Sequence, residues 1–275
     1  MSDDRIGIVI PTFNRTLVIE AAESAAAALG SAEHVVVVDD GSTSRDALAA
    51  LDQLRERGFT VHRQPNRGVA AARNAGLALL RTPYALALDS DDRMGPDAPG
   101  VAADILDADP DAVIVAGVGI EFTDDGACSE PLSPGAPTRD SMRHAEQTIS
   151  NPSAFRVADW RRCGGYPEGL LVGEDWVFWM RLLKDGGHIV VTDTLFLHRR
   201  LHPGQVSERH IDPRERIKST NLMLREQPDL YLAHPDELVD ELIRLRETLA
   251  AYRHAYRHVD SAKAAVRRTL RRLGR

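Results

Sequence analysis

The stretch His34-Val35-Val36-Val37-Val38-Asp39-Asp40-Gly41-Ser42 reads as a strand and the turn that ends it. Four valines in a row, without polar alternation, mark a strand covered on both faces. Strands of that kind belong to parallel sheets packed between helices. Upstream, Arg5–Ile10 is a short β-branched run stopped by Pro11, and Thr16–Leu29 is alanine-rich, helix-like and closed by Gly30. Downstream, Ser44 is placed to cap a helix running to Arg57, with Gly58 after it. Phe59–Arg63, Gly68–Leu80 and Tyr84–Leu88 then read as strand, helix and strand. This alternation predicts an α/β fold, a mostly parallel twisted sheet with right-handed crossovers, flanked by helices.

The pattern changes beyond residue 125. Ala112–Phe122 is a further strand, followed by a hairpin-type turn at Thr123-Asp124-Asp125-Gly126 and a proline-rich loop from Pro131 to Thr138. Glu174–Lys184 is an amphipathic helix, Ile189–Val191 and Leu195–His198 are short strands, and the chain is helical from Asp236 onward. We therefore expect three parts: 1–125, 126–211, and a helical extension over 212–275.

The chain has 275 residues, 43% hydrophobic and 27% charged, which excludes a disordered, collagen-like or disulfide-stapled protein. No apolar run reaches the roughly 20 residues of a membrane span. The first residues lack the basic-then-apolar order of a secretory leader, and Cys128 and Cys163 form no CxxC pair. Both features predict a cytoplasmic protein with free thiols. A net charge of −7 argues against nucleic acid as a partner. That charge is uneven: residues 253–275 carry +7 and the rest −14. Val259, Ala262, Val266, Leu270 and Leu273 form an apolar stripe in this basic tail, suited to an anionic inner-membrane surface or to packing on the acidic body or a second subunit.

In open parallel sheets ligands bind beyond the carboxyl ends of the strands. Here three such ends are polar: Pro11-Thr12-Phe13-Asn14-Arg15, Asp39-Asp40-Gly41-Ser42 and Asp89-Ser90-Asp91-Asp92. They point to one crevice. Three carboxylates in four residues repel one another unless a cation lies among them, and oxygen ligands suit Mg²⁺ or Mn²⁺. An isolated cluster of this kind is equally a solvated turn; its position directly after Ala85-Leu86-Ala87-Leu88 favours a metal. Asn66-Arg67-Gly68 opens a helix whose start favours anions, with Arg73 in reach of a phosphate, a base, or Asp39 or Asp89. Glu174-Asp175 is ordinary helix-start electrostatics or supplies a general base. Trp176, Phe178 and Trp179 are too closely spaced on one helix for all to face inward, so one is expected to line a substrate pocket. His198 and His202 flank an Arg-Arg pair, and one of them is a candidate metal or diphosphate ligand.

In this order, over about 200 residues, these segments resemble the inverting glycosyltransferases of family 2, which have the GT-A fold. Val36-Val37-Val38-Asp39-Asp40-Gly41-Ser42, Asn66-Arg67-Gly68 with Ala72-Arg73-Asn74-Ala75-Gly76, Leu88-Asp89-Ser90-Asp91-Asp92, Gly173-Glu174-Asp175-Trp176 and Arg200-Leu201-His202-Pro203-Gly204 with Ser207 carry the likeness. The resemblance implies a nucleoside-diphosphate sugar donor, a UDP-sugar above all, and an acceptor hydroxyl. Pro11, Thr12, Asn14, Asp39, Asn66, Gly68, Arg73, Asp89 and Ser90 would hold the donor. Asp91 and His202 would hold Mn²⁺ or Mg²⁺, with His198 the alternative histidine. Asp175 would be the catalytic base, with Asp92, Glu174 and Trp176 in secondary or acceptor roles. The absence of QxxRW and of membrane helices implies limited, non-processive transfer. A nucleotidyltransferase would carry a glycine-rich basic loop where Pro11-Thr12-Phe13-Asn14 stands, and a Rossmann dehydrogenase would carry GxGxxG there.

Overall fold

A computed structural model describes residues 3–144, 149, 151–202 and 213–236, with 239, 240, 243, 246, 247 and 250 beyond them. Pro203, Gly204, Ser207 and the basic apolar stripe of 259–273 lie outside the described residues. The chain forms two compact units, Met1–Glu226 and Gln227–Arg275. In the second, a short helix covers Pro228–Leu232.

The first unit is built on one eight-stranded sheet: β1 (Ile6–Thr12), β2 (Val35–Asp39), β3 (Thr60–Arg63), β4 (Tyr84–Ala87), β5 (Arg93–Met94), β6 (Ala112–Phe122), β7 (Ala154–Arg156) and β8 (His188–Arg200). The spatial order is β3-β2-β1-β4-β7-β6-β8-β5. The first four are parallel, as expected from the valine run. β7 runs antiparallel to both β4 and β6, whereas β6 and β8 are parallel. Seven helices accompany it: α1 (Val18–Leu29), α2 (Arg45–Glu56), α3 (Val69–Leu79), α4 (Ala98–Ala108), α5 (Val157–Cys163), α6 (Glu174–Leu182) and α7 (Pro213–Glu226).

All residues of β1 and β2 are buried, which is why neither strand shows polar alternation. On one face Ile6, Ile8, Ile10, Val35 and Val37 join Val18, Ala21, Ala25 and Leu29 of α1 and Leu51 and Leu54 of α2 in the core. On the other face α3 lies close: a Cβ on Gly76 would come within 2.3 Å of Val9 Cγ1. Small residues in α3 permit that approach, and it brings the N-terminal turns of α3 up to the ends of β1 and β2.

Four elements were not legible beforehand. β7 has three residues, too few to show a period. α5 is only seven residues long. β5 has two. α4 opens Ala98-Pro99-Gly100, which reads as a turn although proline is favoured in a first helical turn. The two short strands expected at Ile189–Val191 and Leu195–His198 are one continuous strand, β8. Register shifts against β6 take up the polar step at Thr192-Asp193.

The register sets the site. Thr12 lies opposite Asp39, and Val9 opposite Ala87, so the loops leaving β1, β2 and β4 emerge at one edge. β7 is antiparallel and begins at that same edge.

Candidate active site

A cavity of about 1220 Å³ opens at this edge. Pro11, Thr12, Asn14, Arg73, Asp89, Ser90, Asp91, Asp92, Glu174 and Asp175 all line it. The carboxylates of the loop after β4 and those at the start of α6 therefore share one space.

At the β1–β2 end, Asp39 is fully buried. Its Oδ1 accepts the Ser42 N–H at 2.8 Å, while Oδ2 has no hydrogen bond but lies 3.4 Å from Arg63 Nη1, an ion pair. The buried Oγ1 of neighbouring Thr12 is also unpaired. Buried polar atoms are rarely left so; of these two residues Thr12 lines the cavity and Asp39 does not. Asn14 takes a left-handed backbone (φ 53°). It accepts the Thr43 and Ser44 N–H groups at 2.7 and 2.8 Å, tying the first loop to the start of α2.

The start of α3 differs from expectation. Asn66 and Gly68 are exposed and do not line the cavity. The anion favoured there comes from the chain itself: Asp40 Oδ1 accepts from Gln64 Nε2 and Arg67 N, and Oδ2 from Gly68 N, at 2.8–2.9 Å. Asp40 was not among the residues singled out from sequence; the doubled aspartate after the valines was the available signal.

Arg73 is 3% exposed and projects between two loops. Nη2 donates to Asp89 at 2.7 Å, Nη1 donates to Glu174 at 2.8 Å, and the guanidinium stands 5.3 Å from the Tyr166 ring centroid. Burial opposes its charge, but the Asp89 and Glu174 carboxylates more than offset that and raise its pKa. Its Nε is unpaired. Arg73 thus links the acidic loop to the first turn of α6.

Asp175, next to Glu174, accepts the Trp176 N–H at 2.7 Å. Its tightly enclosed position, with the charge of Glu174 beside it, pushes its pKa up to about 6, against the pull of Arg73. Burial, with the charge of Asp89 next in weight, also pushes Asp92 up to about 8; its Oδ1 accepts the Arg200 N–H at 2.9 Å. Arg200 in addition donates from Nε to the Asp91 carbonyl and bonds Glu20 and Asp124, fixing the acidic loop from the end of β8. The sequence placed Arg200 in a motif without this role.

The two histidines separate. His202 Nε2 lies 3.0 Å from Asp91 Oδ2. His198 is paired across the β5–β8 ladder with Arg93, and burial, then Arg93, lowers its pKa; neither histidine lines the cavity itself, but His202 reaches it through Asp91. Among the described residues no three His, Cys, Asp or Glu side chains gather into a cage. A carboxylate and an imidazole side by side nonetheless fit Mn²⁺ or Mg²⁺, which commonly complete their shells with substrate phosphates and water.

Trp176 corrects the expectation that an aromatic of α6 lines the pocket. Trp176, Phe178 and Trp179 are all buried and none borders the cavity. α6 is enclosed on several sides: Trp176 Nε1 donates to the Met142 carbonyl, Trp179 Nε1 donates to the Ile149 carbonyl, and Phe178 stacks on Tyr166 at 4.0 Å.

A mixed sheet with a carboxylate-lined crevice at its parallel edge defines a GT-A-type fold. S. aureus TarS 1-349 in complex with UDP-GlcNAc shares it, with a TM-score of 0.65 at 22% identity, over 81% of this chain and 66% of that one. Residues 7–159, more than half of the chain, match glycosyl transferase family 2, and the chain belongs to that family. An uncharacterized protein, y4gI, of Sinorhizobium fredii is 27% identical over 185 residues, 65% of this chain and 20% of that protein. The succinoglycan biosynthesis protein ExoU of Rhizobium meliloti is 40% identical over 87 residues, 31% of this chain and 25% of its own length. The matched stretches thus span about a fifth to a quarter of these two curated relatives. Among the described residues no helix is long and apolar enough to cross a membrane.

Proposed function

We propose that this chain transfers a sugar from a nucleoside-diphosphate sugar, a UDP-sugar, to an acceptor hydroxyl with inversion at the anomeric carbon. The observation that carries this reading is the convergence of the Asp89–Asp92 loop and Asp175 on one cavity. Family membership and the UDP-GlcNAc held by the TarS neighbour support the donor class.

In this reading the nucleoside lies at the Thr12–Asp39 end of the cavity, where it completes the unpaired Thr12 hydroxyl, and the diphosphate lies along the Asp89–Asp92 loop. Asp91 and His202 are the residues that would hold a divalent cation, which would supply neutralisation of the charge on the leaving diphosphate. The sugar then lies between Asp89 and Asp175. Asp175 accepts the proton of the acceptor hydroxyl while that oxygen bonds to the anomeric carbon on the face away from the diphosphate. The bond from that carbon to the diphosphate oxygen breaks, and the nucleoside diphosphate leaves with the electron pair. A carboxyl pushed up to about 6 is a stronger base than an ordinary aspartate and is still ionised at neutral pH.

Thermal shifts with UDP, GDP and dTDP, each with and without Mn²⁺, test the donor. UDP with Mn²⁺ is expected to give the largest rise in Tm; no rise with any nucleotide sinks the reading. In the same assay Asp91→Ala removes the Mn²⁺-dependent part of the UDP shift, and Mn²⁺-enhanced binding that survives the substitution refutes the metal assignment. Because the base acts deprotonated, kcat should fall about tenfold per pH unit below about 6. A flat profile from pH 7.5 to 5 excludes a base of that pKa.

A further inference from the structure

Asn151 is a second unsatisfied group in the cavity, away from the Thr12–Asp39 end. It lies just before β7, whose pairs with β4 (Ala85↔Phe155) and β6 (Val115↔Ala154) fix its course. Trp179 of α6 holds the Ile149 carbonyl two residues earlier. The segment is therefore tied to the helix that begins with Glu174 and Asp175, and Asn151 lines the same cavity as Asp89 and Asp175. Asn151 is 7% exposed, lines the cavity, and its Oδ1 has no hydrogen-bond partner.

Two other asparagines here show what a structural asparagine does. Asn74 Oδ1 accepts from Trp160 Nε1 and Tyr166 N, and its Nδ2 donates to the Tyr166 carbonyl. Asn14 accepts two backbone N–H groups. Asn151 Oδ1 forms no such knot. A carboxamide oxygen needs an O–H or N–H. No side chain supplies one to Oδ1, and neither does a diphosphate, which only accepts. Of the parts of a nucleotide sugar, the base and ribose belong with Thr12 and Asp39 in the reading above. The sugar hydroxyls remain, and the sugar belongs between Asp89 and Asp175.

We propose that Asn151 accepts a hydrogen bond from a hydroxyl of the transferred sugar and so selects the donor sugar. This rests on the donor reading given under Proposed function. A site that pairs a substrate hydroxyl discriminates strongly, because its own buried polar atom stays unpaired when the wrong ligand enters.

The test measures binding of UDP, UDP-glucose, UDP-galactose and UDP-GlcNAc, with Mn²⁺, by the full chain and by Asn151→Leu, alongside Tm. Wild type should bind at least one UDP-sugar more tightly than UDP. Asn151→Leu should bind UDP within about twofold of wild type and lose roughly tenfold or more of the gain from the sugar. Its Tm should stay level or rise, since an apolar group replaces an unpaired buried one. Asn151→Ala should lose the same gain, which separates the missing oxygen from leucine's bulk. A sugar gain that survives in either variant, a wild type that gains nothing from any sugar, or a Tm that falls by several degrees in Asn151→Leu overturns the assignment to Asn151. Failure of wild type to bind UDP at all overturns the donor reading beneath it, and the two failures are thus distinct.

Discussion

Asp175→Asn lowers kcat about a hundred- to ten-thousandfold, the span a general base contributes, while UDP binding with Mn²⁺ holds. Asparagine keeps the shape and still accepts the Trp176 N–H, so the change removes proton acceptance and little else. A second readout separates catalysis from folding. The folded-state pKa of Asp175 is raised above the value of an unfolded aspartate, so keeping it ionised costs stability above about pH 6, and that cost is relieved as the pH falls through 6 toward 4. The amide has no such cost. Asp175→Asn should therefore melt above wild type at pH 7.5, and the difference should shrink toward pH 4.5. Near-normal turnover refutes the base; a lower Tm at pH 7.5 refutes the account of its environment.

Arg73→Met should be the most destabilising single change in the site. It leaves Asp89 and Glu174 without the cation that bridges them, in a place where the arginine was almost wholly buried. Removing one partner of a buried ionic network costs about 3–5 kcal/mol, on the order of 10 °C in Tm for a unit of this size. Arg73→Met with Glu174→Gln should recover part of the loss, because one of the stranded charges goes with it. Residual activity carries a further signature. Arg73 holds the Asp175 pKa down, so without it the acid arm of the pH–rate profile moves upward. A variant that melts within 2 °C of wild type, by our roughly 10 °C expectation, removes Arg73 from the position assigned to it.

The sequence was most legible where local pattern decides structure. The uninterrupted apolar runs of β1, β2 and β4 and the polar residues that end them located the crevice, and the acidic cluster after β4 marked its centre. Partnerships were not legible. Arg73 was recognised, with Asp89 as one possible partner, but Glu174 lies 101 residues away and is brought to it by the path of the sheet. The same holds for Arg200 and Asp92, 108 residues apart. Which histidine meets Asp91 depends on β8 running on to Arg200, two residues past the strand end expected at His198, so that His202 follows it beside the acidic loop. The reading of Trp176 failed because it assumed α6 had an open face; the segments holding Met142 and Ile149 close it.

The Arg200 tie reaches back to the acidic loop from well beyond residue 159, where the family match stops. A fragment cut at 159 would keep Thr12, Asp39 and the Asp89–Asp92 loop yet lose the Arg200 buttress of that loop, along with Asp175 and His202. Chimeras that transplant the acidic loop should accordingly carry the strap through residue 202 with it, and exchange only the wall between β6 and α6.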